Sequence, residues 1–451
     1  MEKLKDYKPK LSPTKIIALG YLCIIAAGTI LLCLPISSRS GEFTPVLDSL
    51  FTATSATCVT GLIVHDTYTY WSIFGQIVIL IMIQLGGIGF MTLSVLVMSL
   101  IGRKIGIRQR SIMQQSVSAQ QVGGIVRMTR FIVVLTAIFE ALGAIILSIR
   151  FCPIFGIAKG IYFAVFHSVS AFCNAGFDLM GGYSGEFSSL TAFCGDYTVS
   201  LTICLLIICG GFGFYAWADL YNNKFRFNRY SLTTKIVLLT TAILLVGGTA
   251  VIFTAEQGGE EFSQMSIPER FLAAFFQAVT PRTAGFNTMN LSSLSDATVI
   301  TMIFLMFVGG SPGSTAGGMK TTSLAILFAS IFSTIKRKKA VECFKRRISN
   351  DLLLNVLSIF AMFMMLFVAS SIIISAVDSI PMKSVMFETA SAIGTVGLTL
   401  GVTPTLSPVS HLILIVLMYL GRVGCFTVLF ALSDNVKGYV SKYPVENITI
   451  G

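Results

Sequence analysis

Phe51–Gly61 reads FTATSATCVTG, and the chain repeats that eleven-residue pattern three more times. The others are Phe166–Gly176 (FHSVSAFCNAG), Phe275–Gly285 (FFQAVTPRTAG) and Phe387–Gly397 (FETASAIGTVG). They align without a gap, each opening on Phe and closing on Gly, followed by Leu62, Phe177, Phe286 or Leu398. Each belongs to a semi-polar segment of roughly a dozen residues, too short to cross about 30 Å of hydrocarbon as a helix. Such a segment reads as a re-entrant helix followed by a loop.

On either side of each segment the chain is apolar. Long apolar stretches lie near 16–35, 70–101, 131–150, 197–221, 234–254, 297–330, 352–376 and 410–434. They read as eight spans, one before and one after each re-entrant segment. The second span of each pair carries Gly86, Gly210, Gly309 or Gly421, lying 25, 34, 24 and 24 residues after the closing Gly. The contexts are LGGIGF, CGGFGF, VGGSPG and LGRVGC. Repetition at this level predicts an all-α integral membrane protein of four tandem span–pore-helix–span units around a pseudo-fourfold pore. The expected units are 16–101, 131–221, 234–330 and 352–434. An N-terminus (1–15), loops 102–130, 222–233 and 331–351, and a tail (435–451) fall on the cytoplasmic side.

Composition agrees with burial in lipid. Hydrophobic residues make up 54% of the 451 and charged residues 12%, with a mean hydropathy of +0.82. A soluble domain carries about 25% charged residues, so a large soluble globule is excluded. The net charge of +11 is not a nucleic-acid signature. Of 32 Lys and Arg, 24 fall in 1–15, 102–130, 222–236, 334–350 and 435–451, alternating with acidic stretches such as Asp178–Asp196 and Glu256–Glu269. That is the positive-inside pattern, with both termini cytoplasmic. The apolar run from Ile16 has spanning length and no small-residue cleavage site after it, so it reads as a span rather than a signal peptide. Ten cysteines, mostly within apolar runs and without a CxxC pair, read as small buried hydrophobes. Three separated histidines, His65, His167 and His411, give metal catalysis no support.

Because each unit has two spans, all four loops enter from one side and can meet on one axis. Non-helical backbone at membrane depth survives only where protein buries it or it lines a watery cavity. A ring of carbonyls there can replace the hydration shell of an alkali cation without a full charge in the membrane. Gly at each loop end allows the backbone angles that aim successive carbonyls inward. The expected filter residues are Cys58, Val59, Thr60 and Gly61; Cys173, Asn174, Ala175 and Gly176; Arg282, Thr283, Ala284 and Gly285; and Gly394, Thr395, Val396 and Gly397. The last group, with Leu398, reads GTVGL, close to the TVGYG filter of potassium channels.

With these motifs the chain resembles the Trk/Ktr/HKT superfamily of potassium transporters, most closely the membrane subunit of bacterial Ktr systems. The resemblance covers about residues 16–434. It implies potassium as the transported ion, with no covalent cofactor and with sodium as a possible activator. It also implies a homodimer in the cell membrane above a separate cytosolic nucleotide-binding ring, for which 103–110 and 336–347 are candidate docking segments. The sodium-selective plant branch typically has Ser where this chain has Gly61, so Gly in all four repeats favours potassium.

Two departures from fourfold symmetry point to a gate. The second span of repeat three is interrupted by Gly309-Gly310-Ser311-Pro312-Gly313-Ser314-Thr315-Ala316-Gly317-Gly318. Gly costs about 1 kcal/mol and Pro about 3 kcal/mol in a helix interior, so this stretch opens into a loop at membrane depth unless it is a packing kink. The resemblance implies that the loop blocks the pore and moves to open it. Gly313-xxxx-Gly318-Met319-Lys320-Thr321 is one residue off a Walker A pattern, lacking the Lys directly after the second Gly and the preceding strand, so phosphate binding is rejected. In repeat four, Arg422 stands where the others have Gly87, Gly211 and Gly310. An Arg near mid-span is costly and functional by default. It can bond the Ser311–Thr315 loop and repel a cation below the filter, or serve structurally as a partner of Glu140 or another acid. Glu140 and Glu388, also at membrane depth, read as hydrogen-bonding supports.

Three readings compete. The first is a channel-like potassium uptake subunit driven by membrane potential. The second is a sodium-conducting or alternating-access cation symporter, although such carriers usually show inverted repeats with broken helices, and here the repeats are parallel and one helix reads as broken. The third is an intramembrane hydrolase using Ser311 or Ser314 with a histidine, a reading that the outer positions of the histidines disfavour.

Overall fold

The computed structural model describes residues 12–89, 92, 124–224, 226–338 and 340–432. The basic segments within 1–11, 102–123 and 433–451, including 103–110, lie outside the described residues.

Each repeat opens on a long apolar helix: Pro13–Cys33, Ile125–Phe155, Leu232–Ala255 and Asn350–Asp378. At about 1.5 Å per residue, all four are long enough to cross a bilayer core. Ser12, Ser231 and Ser349 cap three of them, each hydroxyl accepting a first-turn amide. Their outward faces are largely apolar, and Ile30, Ile149, Val246 and Met365 are 66%, 69%, 71% and 72% exposed. On a soluble protein such a girdle would aggregate; against lipid tails it costs nothing.

The re-entrant helices are Val46–Cys58, Ile157–Phe172, Ile267–Val279 and Met382–Gly394. Their last turns are sealed within the protein, Phe51 to Cys58 being buried without a break. That burial accounts for their mixed composition. A helix surrounded by protein can place Ser and Thr against neighbouring backbone, whereas a lipid-facing helix is held to apolar side chains.

The closing helices differ from the eight uninterrupted spans that hydropathy suggests. They are Ile73–Ile88, Tyr197–Gly211, Asp296–Phe307 and Pro408–Val423, only 12 to 16 residues each. Ser72, Asp196, Ser295 and Ser407 cap their starts. Each then stops at membrane depth. Gly89, Gly213 and Gly424 have φ of 86°, 94° and 89°, and after Gly213 the helix Phe214–Asn223 leaves at 91° to its predecessor. The reading of a single broken helix is therefore corrected: repeats two and four break as well as repeat three, and the first closing helix ends at Gly89. The cause is the third residue after the registered Gly, itself Gly in LGGIGF, CGGFGF and LGRVGC, which adopts a left-handed angle that ends the helix. In repeat three Pro312 holds that place, and residues 309–320 form a loop before Thr321–Ile335. The loop between repeats three and four carries a two-stranded hairpin pairing Glu342–Cys343 with Arg346–Arg347.

Candidate functional site: a backbone ring above an asymmetric loop

The four re-entrant helices run inward and stop at residues 58, 172, 279 and 394, just before the loops of interest. A helix C-terminus carries roughly half a negative charge from its aligned peptide dipoles. Four such ends therefore favour a cation between them. In repeats one, two and four the turn after the helix is identical: the amides of Thr60, Ala175 and Val396 donate to Ser55, Ser170 and Ser391 carbonyls at 2.8 Å. Val59, Asn174 and Thr395, just before those amides, are left-handed, with φ of 57°, 60° and 53°. Non-Gly residues pay about 1–3 kcal/mol for such angles, so the surrounding packing imposes them.

The closing glycines then meet in a cycle. A methyl placed on Gly61 would lie 2.5 Å from the Ala175 carbonyl oxygen, one on Gly176 2.7 Å from that of Ala284, and one on Gly285 2.6 Å from that of Val396. One on Gly397 would come closer still to the Thr60 carbonyl, which closes the circle. The order is one, two, three, four, so repeats two and four face each other, as do one and three. These residues have positive φ of 95°, 69°, 84° and 93°, and no side chain fits.

The registered glycines of the closing helices have a second steric reason. Methyls on Gly86, Gly210 and Gly421 would collide with the carbonyls of Thr57, Phe172 and Ile393, the seventh residue of each motif. Repeat three departs. Pro281 occupies that seventh position, its helix ends earlier, and the Ala284 amide turns instead to the Thr280 carbonyl at 2.9 Å. Gly309 then packs against the Gly317 carbonyl of its own loop.

That loop lies directly beneath the ring and touches three of the four repeats. The Ser311 and Thr315 amides donate to Gly211 and Gly210 carbonyls at 2.9 and 3.2 Å, and the Gly318 amide to the Gly421 carbonyl at 3.2 Å. The Thr315 hydroxyl donates to the Phe172 carbonyl at 3.1 Å, and the Phe214 amide to the Gly313 carbonyl at 2.8 Å. Arg422 ties the loop to repeat one: its guanidinium donates to the carbonyls of Thr315, Gly86 and Gly87. On the opposite side from the ring, a cavity of about 440 Å³ is lined by Tyr21, Gly87, Ser314, Lys320, Phe363 and Arg422, among others.

Several residues take places that the sequence left open. Glu140 is not the partner of Arg422; it accepts from Gln84 Nε2 at 3.0 Å, beside the Cys173 thiol. Glu388 lies fully buried against the loop that follows Gly397. The Arg282 backbone belongs to the turn, but its side chain points away, reaching Thr241 Oγ1 at 3.3 Å. Asn174 accepts from Thr283 Oγ1 at 3.2 Å and donates to the Phe172 and Ile207 carbonyls, both at 3.3 Å, joining repeats two and three. Ser311 pairs with Thr321 at 3.3 Å. His65 Nε2 pairs with Asp48, both His167 nitrogens with Phe163 and Leu179, and His411 Nε2 with the Thr403 carbonyl, and no hydrogen bond joins a histidine to Ser311 or Ser314 among the described residues. No metal-sized group of His, Cys, Asp and Glu occurs among them either.

Lys320 is the residue that sequence reasoning passed over. Its Nζ donates to the Ala316 and Gly317 carbonyls at 2.8 and 3.4 Å, bringing a second basic side chain to the loop. Its signal in the sequence is the one that marks Arg422, since a Lys inside an apolar stretch is as unusual as an Arg.

Residues 13–439 match the TrkH family model, described as a cation transport protein. The chain is 40% identical to the potassium/sodium uptake protein NtpJ of Enterococcus hirae, with 99% of each covered. It is 36% identical to the Ktr system potassium uptake protein B of Bacillus subtilis, with 98% of this chain and 97% of that one covered. Among solved structures it is similar to the potassium transporter TrkH from Vibrio parahaemolyticus, with a TM-score of 0.74 over 96% of this chain and 87% of that one. At 18% identity that likeness is one of fold. The chain belongs to the TrkH family of cation transport proteins: it is a membrane protein for cation uptake, not an enzyme.

Proposed function

We propose that this member of the TrkH family is the ion-conducting subunit of a potassium uptake system, selective at the Gly61–Gly176–Gly285–Gly397 ring and gated at the 309–318 loop. The observation that carries the reading is the closed cycle in which each ring glycine abuts the carbonyl of the next repeat. Four backbone loops at the negative ends of four helices supply carbonyl oxygens to a dehydrating cation, and no acid sits in the ring to bind it too tightly. The printed functions of the relatives, potassium or potassium/sodium uptake, point the same way.

The membrane potential supplies the drive, about 2.3 kcal/mol per unit charge for each 100 mV. Below the ring the loop is the barrier. Its hydrogen bonds to repeats two and four and the Arg422 bridge to repeat one hold it across the path. Arg422 also places a positive charge where a cation would leave, with the Lys320 amine beside it in the same loop. Opening then means exchanging these carbonyl contacts for others. The resemblance to Ktr systems implies a homodimer in the cell membrane, both termini cytoplasmic, above a cytosolic nucleotide-binding ring, with sodium as an activator, and relatives named as Ktr system potassium uptake proteins support that reading only as far as potassium uptake.

A sodium-conducting or alternating-access symporter is the second reading, favoured by the breaks in further closing helices. Reconstitution into liposomes under a potassium gradient, with rubidium uptake measured against rising sodium, separates the two. Uptake that persists with excess sodium and needs no co-ion supports the potassium channel reading. Uptake abolished by sodium, or strictly requiring it in fixed ratio, overturns it.

A further inference from the structure

The ring is held from outside by two different devices, and they divide it along its diagonals. In repeats two and four the second residue of the motif is a buried acceptor. His167 Nδ1 is paired with the Phe163 carbonyl at 2.7 Å, which leaves Nε2 to accept the Leu179 amide at 3.3 Å. Glu388 accepts the Leu400 amide at 3.1 Å and the hydroxyls of Thr399 and Thr403, the latter at 2.7 Å. Leu179 and Leu400 occupy the same place, three residues beyond the ring glycine. The His167 and Glu388 side chains have no exposed surface.

The other diagonal has no buried acceptor at that motif position; in repeat one the more exposed Asp48, three residues before the motif, pairs with His65 Nε2 at 2.8 Å. The second residue is Thr52 in repeat one, whose hydroxyl finds no partner, and Phe276 in repeat three. The outgoing strands of both repeats are also tied to the outer loop of repeat two. Asp66 accepts the Phe187 amide at 3.2 Å, the Leu190 amide donates to the Asn287 carbonyl at 3.0 Å, and Ser189 receives the Asn287 amide at 3.3 Å.

We propose that His167 and Glu388 are positioning residues for ion selectivity, latching the outgoing strands of two opposed loops to their own helices and so fixing the ring's width along one diagonal. The inference rests on the ring acting as the filter. A filter discriminates by the number and field of its carbonyls, and a strand freed three residues away lets those carbonyls follow a smaller ion. An acceptor that met its own helix alone would serve stability; these two meet the strand that leaves the ring.

The test is the potassium-to-sodium flux ratio of the reconstituted protein, a quantity independent of how much of it is folded. Glu388→Gln should lower the ratio about fivefold, the scale of one hydrogen bond's net contribution. Glu388→Ala and His167→Leu should lower it further, and His167→Gln should restore part of it by returning an acceptor. Thr52→Val and Phe276→Leu, at the same motif position on the other diagonal, should leave it unchanged. Thr403→Val, which removes one hydroxyl only, decides the matter if the Ala variant does not fold. A ratio unmoved in the His167 and Glu388 variants while Gly61→Ser lowers it would overturn the latch alone. Unmoved ratios throughout, Gly61→Ser included, would overturn the filter reading itself. Equal losses on both diagonals would mean that the second motif position serves packing.

Discussion

The ring and the layer beneath it are built on opposite principles. The ring is the same small structure made four times, from backbone, with each glycine against the next repeat's carbonyl. The layer below is made once, from the parts of repeats three and four that break the pattern: the 309–318 loop, Lys320 and Arg422. If the ring is the filter proposed, ion recognition needs equal distances from several sides, which repetition supplies at no extra design. On the proposed reading, a barrier that must come and go needs one movable part with a few exchangeable bonds, which a single departure supplies. The asymmetry even reaches the ring, where Pro281 replaces a helical residue and shifts the repeat-three turn.

Breaking the ring should have the largest effect. Gly397 makes the tightest approach, so Gly397→Ala forces its methyl into the Thr60 carbonyl at a backbone angle that disfavours any side chain. We expect at least about tenfold loss of apparent potassium affinity, with Gly61→Ser weaker and also relaxing exclusion of sodium. Complementation of a potassium-uptake-deficient strain at limiting potassium reads both. Affinity unchanged in both variants would remove the ring from selectivity.

Breaking the lower layer should act in the other direction. Arg422→Ala removes a charge from the path and the bonds to Thr315, Gly86 and Gly87, so rubidium flux should rise several-fold. Lys320→Met should raise it less, because its carbonyl bonds stay within the loop itself. Reduced flux in both would assign these basic side chains to holding the fold rather than the barrier.

How much of this the chain discloses depends on repetition. The ring could be read because four copies fix a register that one copy cannot. Arg422 stood out because three copies have Gly in its place. The helix ends at Gly89, Gly213 and Gly424 were equally repeated, yet a glycine in an apolar run is so often a packing residue that its left-handed angle was not inferred. His167 and Glu388 share a motif position but differ in chemistry, so alignment alone gave no reason to pair them. The clasp from the outer loop of repeat two to repeats one and three has no periodicity, and only the fold brings Asp66 to Phe187.

A smaller effect should appear at the outer mouth. Asp178 follows the repeat-two ring residues and accepts the Met180 amide at 2.9 Å. Burial, then the neighbouring Asp66, push its pKa up to about 7. The folded protein therefore favours the protonated form: its contribution to stability is full below the ordinary carboxylate range and is lost as pH rises through about 7. Lowering external pH from 8 to 6 removes negative charge beside the entrance, so apparent KM for potassium should rise about two- to threefold. Asp178→Asn should abolish that dependence. A pH profile identical to the parent's would place the titrating group elsewhere.

The claim that selectivity and gating occupy separate layers is tested most directly by deleting part of Gly309–Gly318, alone and with Arg422→Ala. Total flux and the potassium-to-sodium ratio are then measured on the same liposomes. The account predicts higher flux from the deletion and an unchanged ratio. It also predicts little further gain in the double variant, because Arg422 acts through the loop it bonds. A deletion that lowers flux, or raises it only with collapse of the ratio, would contradict the account and make the loop part of the ring's support.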